Sequence, residues 1–133
     1  MNALQSMTIP LPDTASDWQG DTKVANVYRA PSAALGGAIK IVRAYATNQA
    51  ATGAGTGFAL TLLNYGTAGT AVAGTISDAL GGTADAWAAG TPKEFTITDG
   101  DLDADEWLAV LKDEENSSDP SRCYLVIQYL HGN

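Results

Sequence analysis

Residues 122–130 read Arg-Cys-Tyr-Leu-Val-Ile-Gln-Tyr-Leu, and this stretch decides the fold. It is rich in branched and aromatic residues and contains neither Gly nor Pro. Its apolar side chains fall on both alternating faces. A strand of that kind sits in the middle of a sheet. Cys123, Leu125 and Ile127 share one of its faces, so Cys123 is expected as a buried, inert thiol.

Working outward, four more segments have strand character. Residues 93–98 set Phe95 and Ile97 against Glu94, Thr96 and Thr98. Residues 57–63 put Phe58, Leu60 and Leu62 on one face, with Ala59 and Thr61 on the other. Residues 38–46 place Ile39, Ile41 and Tyr45 together, and residues 23–29 are short and β-branched. Gly-rich connections separate them: Gly36-Gly37, then Gly53, Gly55 and Gly57, then Gly66 and Gly69, then Gly81-Gly82. Short strands joined by such turns predict an all-β fold, an antiparallel β-sandwich of jelly-roll-like type.

Two segments fit this pattern less well. Residues 66–91 are long, small and weakly patterned, with Ile76, Leu80 and Trp87 as large apolar side chains. They predict a long Gly/Ala-rich crossing loop with a short helical turn near 77–80. Residues 103–116 read two ways. Asp103 with Glu106 resembles a capping box, and Trp107, Leu108 and Leu111 have helical spacing. The same residues alternate as a strand, and a closed sheet needs one here, so a strand is expected.

The remaining organisation is an extended N-terminal arm over residues 1–22, followed by one domain over 23–133. Pro10 and Pro12 argue against regular structure in the arm, and Asp13, Ser16, Asp17 and Gly20 favour loops. Ile9, Leu11 and Trp18 are too apolar for a free tail. They predict an arm lying on its own domain or reaching a neighbouring subunit.

Composition narrows the function. The 133 residues suit a single domain. Ala, Gly and Thr fill 51 of them, so bulk for a core is concentrated in a few segments, a first hint of self-association. The formal net charge of −8 is carried by residues 99–119, which hold nine acids and one base. Without a basic patch, nucleic acid and anionic membranes are poor partners. No run of about 18 apolar residues predicts a membrane span. No basic start followed by an apolar stretch predicts a secretory leader.

Chemistry is hard to assemble from these residues. One cysteine and one histidine exclude a disulfide framework and a multi-ligand Cys or His metal site within the chain. His131 stands next to Gly132 and is expected as a solvated terminal side chain, a poor mount for a catalytic base. The string from Asp99 to Glu106 invites a calcium reading at Asp99, Asp101, Asp103 and Asp105. The helix-loop-helix calcium pattern fails, because Ala104 and Val110 stand where a Gly and a Glu are needed. The competing reading is an exposed acidic turn that keeps the surface soluble. Gly53-Ala54-Gly55-Thr56-Gly57 precedes a strand, where a phosphate loop would follow one and open a helix. Trp18 and Trp87 could stack on sugars, or could plug the arm and the long loop onto the sandwich.

Three features carry a resemblance. Leu62-Leu63-Asn64-Tyr65-Gly66 is followed by Gly69-Thr70. Trp87-Ala88-Ala89-Gly90-Thr91-Pro92 runs into Phe95-Thr96-Ile97. An acidic turn precedes Glu106-Trp107-Leu108, and Val126-Ile127-Gln128-Tyr129 closes the chain. In these, residues 57–132 resemble small phage head proteins that decorate or cement capsids. The resemblance implies a β-sandwich or jelly roll without catalytic residues or cofactor. It also implies a homo-oligomer, a trimer, bound to the major capsid protein on the virion surface. Ile9, Leu11 and Trp18 are then the expected capsid contacts. The alternative is a carbohydrate-binding module of a viral fibre or host-recognition spike, built on Trp18, Trp87 and the acidic loop.

Overall fold

A computed structural model describes residues 3–13, 24–53, 55, 57–82, 85–113 and 120–132. Trp18 and half of the expected arm lie outside the described residues. The described chain is all-β: two antiparallel sheets pack face to face, with the core between them.

Among the described residues, ten strands build the sandwich: β1 (Gln5–Pro10), β2 (Val24–Arg29), β3 (Ile39–Thr47), β4 (Ala59–Asn64), β5 (Gly74–Thr75), β6 (Leu80–Gly81), β7 (Lys93–Glu94), β8 (Asp101–Leu102), β9 (Trp107–Asp113) and β10 (Tyr124–His131). The first sheet runs β1-β10-β3-β7, with β8 also on β3. The second runs β2-β9-β4-β5, with β6 also on β4. As its composition requires, β10 is central, and its Leu125 and Ile127 are fully buried.

Along one side the two sheets are stitched together. β5 and β6 lie on β4, and β7 and β8 lie on β3, each pair being one interrupted strand. A Ser77–Ile97 bridge joins the two interruptions. The amides of Asp78 and Thr98 add hydrogen bonds to Thr96 and Ile76 carbonyls, at 3.0 and 2.8 Å. This corrects the reading of residues 66–91 as a crossing loop with a helical turn near 77–80. That segment supplies the sheet's fourth row. The Ile76 and Ser77 amides both donate to the Leu62 carbonyl, and the Ser77 hydroxyl accepts from the Leu62 amide at 3.0 Å. A side-chain oxygen thus takes a ladder position that main chain normally fills, which breaks the period-2 pattern.

The N-terminal stretch also differs from expectation. Residues 5–10 form a strand, pairing with β10 from Gln5↔Tyr129 to Pro10↔Tyr124. Its prolines are compatible with that because β1 is an edge strand and Pro10 ends it. Ile9 and Leu11 are buried in the chain's own core.

Residues 107–113 are a strand, as a closed sheet requires, and the helical spacing of Trp107, Leu108 and Leu111 is not used. Half of the capping box survives in the turn before it: the Asp103 amide donates to Glu106 Oε2 at 2.8 Å, without a helix following. Leu108 and Val110 face the core, while Ala109 joins Val24 and Leu63 in a small cluster on the outer face.

A bulge corrects one facing. Register passes from Gln128↔Arg43 to Tyr129↔Ile41, leaving Val42 as the extra residue. Ile39 and Ile41 point inward before it, and Ala44 and Ala46 after it. Tyr45 therefore faces out, opposite Val126, and does not share the face of Ile39 and Ile41.

Candidate functional site

The structure sorts the sequence-level candidates by what each touches. Trp87 is 1% exposed and stacks on Phe58, with ring centroids 4.6 Å apart and planes 15° apart. Its indole Nε1 donates to the Phe58 carbonyl at 2.9 Å. Lys93 Nζ lies 5.0 Å from the ring centroid. Trp87 is a plug that fastens its loop to the core, so it offers no face for a sugar. Ile9 and Leu11 are likewise occupied by their own domain, which corrects their reading as contacts for a second protein.

Cys123 is buried beside Leu125 and Ile127, as its facing predicted. Burial pushes the thiol from 9.0 up to about 12. A thiol protonated at physiological pH is a poor nucleophile. Native protein is expected to resist a disulfide-exchange reagent at pH 8 and to react once unfolded in denaturant. Fast native reaction would contradict the burial. The sign of the pH effect follows by linkage. As pH rises, the unfolded thiol loses its proton before the folded one does. Stability from this group is whole below pH 9 and declines as pH rises toward 12.

His131 does not fray. It closes β10 opposite Ile39 and packs edge-on against Tyr129, with ring centroids 5.7 Å apart.

The acidic turn is held by hydrogen bonds within it and by partners from other strands. Asp99 Oδ1 accepts from the Asp101 amide at 3.2 Å. Asp101 lies 3.7 Å from Lys40 Nζ, and Asp105 lies 3.4 Å from Arg29. Glu106 Oε2 accepts from Asn64 Nδ2 at 2.7 Å as well as from the Asp103 amide. Asp105 takes a left-handed φ of 67°, which Asp tolerates better than most residues. Among the described residues no group of three or more His, Cys, Asp or Glu side chains converges. No described helix is long and apolar enough to cross a membrane.

Two surface features were not visible in the sequence. The first is an end of the sandwich. Leu4 is 55% exposed, Leu35 79% and Val72 56%, the large exposed hydrophobics among the described residues. Leu4 precedes Gln5, which pairs with Tyr129. Leu35 lies in the connection from β2 to β3, on a 3₁₀ turn over Ala33–Leu35. Val72 lies in the connection from β4 to β5. Register places all three at the end of the sandwich where Ile39 pairs with His131 and Asn64 with Leu108. The second feature is an open groove of about 360 Å³ on the outer face of the first sheet, lined by Tyr45, Thr47, Pro92, Tyr124, Val126 and Gln128. Spacing could have suggested Tyr124, Val126 and Gln128, since they alternate with Cys123, Leu125 and Ile127. Tyr45 was hidden by the bulge.

Comparison with family models, with curated proteins and with solved structures finds no match.

Proposed function

We propose that the chain is a structural protein of a phage virion, a non-enzymatic β-sandwich that decorates the assembled capsid. It adheres to the major capsid protein as a trimer and reinforces the shell. One observation carries this reading: Leu4, Leu35 and Val72 project from the same end of the fold. Single exposed apolar residues are ordinary, but a shared end is what a docking surface needs. The strand orders of the two sheets fit a jelly roll, the architecture implied by the resemblance of residues 57–132 to capsid decoration proteins. A repeating shell suits a contact of this size, because weak contacts from each trimer add as avidity.

The contact is thereby moved from Ile9 and Leu11 to the end loops. Co-sedimentation with assembled shells tests this. The chain is expected to pellet with shells, and the double variant Leu35→Asp, Val72→Asp is expected to stay in the supernatant. Both side chains are exposed, so its melting temperature should hold, surface changes usually falling within about 0.5 kcal/mol. Unchanged pelleting by the folded double variant would contradict this docking surface.

A further inference from the structure

The groove on the outer face of the first sheet serves no purpose in the fold just described. Register sets its floor: Tyr124 lies opposite Thr47, Val126 opposite Tyr45, and Gln128 opposite Arg43. Pro92 walls one side, just before β7. About 360 Å³ is at the small end of the range for ligand sites.

We propose that this groove binds a neutral saccharide. The first reason is charge. The lining carries hydroxyls on Tyr45, Thr47 and Tyr124 and a carboxamide on Gln128, and none of its six residues is an Asp, Glu, Lys, Arg or His. The nearest ion pair neutralises itself: Arg43 donates twice to Glu94, at 3.2 and 3.3 Å, and these bonds raise the Arg43 pKa. A phosphate, carboxylate or ammonium would be desolvated here without a dedicated counter-charge.

The second reason is shape chemistry. Two tyrosine rings, Val126 and Pro92 supply apolar surface, and hydroxyl and amide groups lie among them. A pyranose has that same division, with C–H faces and a hydroxyl rim. Arg43 sits 5.5 Å from the Tyr45 ring centroid and restrains that ring at the groove's edge.

The third reason separates a sugar from a peptide. β10 lies between β1 and β3, and β3 lies between β10 and the β7/β8 row. Their main-chain groups are committed to neighbours on both sides. A peptide therefore has no strand edge to extend at this floor. Recognition falls to side chains, which suits a ligand bringing its own hydroxyls.

The groove is centred on Tyr124 and Thr47, away from the end that carries Leu35 and Val72. A chain docked by that end would still present it, so the two sites are separable by experiment.

The test is a titration of isotope-labelled full chain with linear gluco-, manno- and galacto-oligosaccharides, followed by amide chemical shifts. Saturable shifts at residues 45–47, 93–94 and 124–128 are expected with at least one of the three. Tyr124→Ala is expected to weaken binding at least tenfold. Should that variant fold poorly, Tyr124→Phe and Gln128→Ala decide, each expected to weaken binding severalfold without a change in melting temperature. Absence of saturable shifts at millimolar sugar would overturn the proposal, as would shifts mapping elsewhere or variants that bind unchanged. Concentration-dependent broadening at the same amides without sugar would also overturn it, by showing a second copy in the groove. None of these outcomes depends on shell binding, which Leu35→Asp, Val72→Asp probes alone.

Discussion

Trp87→Ala is expected to lower unfolding free energy by about 3–5 kcal/mol, the range for removing a large buried aromatic side chain. Three effects act together. The substitution leaves a cavity against Phe58, removes a stacked pair with centroids 4.6 Å apart, and orphans the Phe58 carbonyl that accepts from the indole at 2.9 Å. The loop around Trp87 is pinned by the same residue: its carbonyl accepts from the Thr52 amide and its amide donates to Thr52 Oγ1. Domains of this kind are stable by only about 5–15 kcal/mol in total, so the loss is a large fraction. Denaturant unfolding followed by fluorescence checks it. A midpoint within error of wild type would show that Trp87 is no plug and would reopen it as a binding aromatic. Trp87→Phe should recover part of the loss, since it restores a ring but not the donor.

Gly100→Ala is expected to be comparably severe for a different reason. A Cβ at Gly100 would overlap the Ile41 carbonyl oxygen and approach Ile41 C and N at 2.9 and 3.2 Å. Those are backbone atoms, which have no rotamer to retreat into. The Gly100 carbonyl accepts from the Ile41 amide at 2.8 Å, so the two main chains are in contact where β3 bulges at Val42. Separating them would disturb the bulge and the pairing of β8 with Ile39 and Lys40. Overpacking typically costs about 1–3 kcal/mol and occasionally more. The upper part of that range is expected here, read as a fall in melting temperature. A variant as stable as wild type would mean that this close approach does not occur in solution.

The fold was legible where one sheet's period governs the residues. β2, β3, β4, β9 and β10 were all visible as strands because their side chains alternate or are apolar throughout. The limits were physical. The Val42 bulge inverts the facing of Tyr45, and alternation carries no mark of a bulge that Gly does not flag. The β5 and β6 row hid among small residues, since its ladder is completed by the Ser77 hydroxyl. Pro10 and Pro12 masked β1, although an edge strand tolerates a proline that ends it.

The candidate sites were less legible than the fold. Ile9, Leu11 and Trp87 stood out as large apolar residues in segments rich in loop formers, and the same size that drew notice is what buries them. The partners of the acidic string were not legible either, because Lys40, Arg29 and Asn64 reach Asp101, Asp105 and Glu106 from other strands. The exposed end and the tyrosine groove arise from tertiary register, which joins Tyr45 to Val126 and gathers Leu4 and two connections at one end.

The central claim is adhesion to an assembled shell, and electron cryomicroscopy of virus heads saturated with the purified chain tests it most directly. The account predicts sandwich-sized density at every symmetry-equivalent position, in clusters of three, with the Leu35 and Val72 loops against the shell. Bare heads at saturating protein, or density touching the shell through the Tyr45–Tyr124 groove, would contradict it.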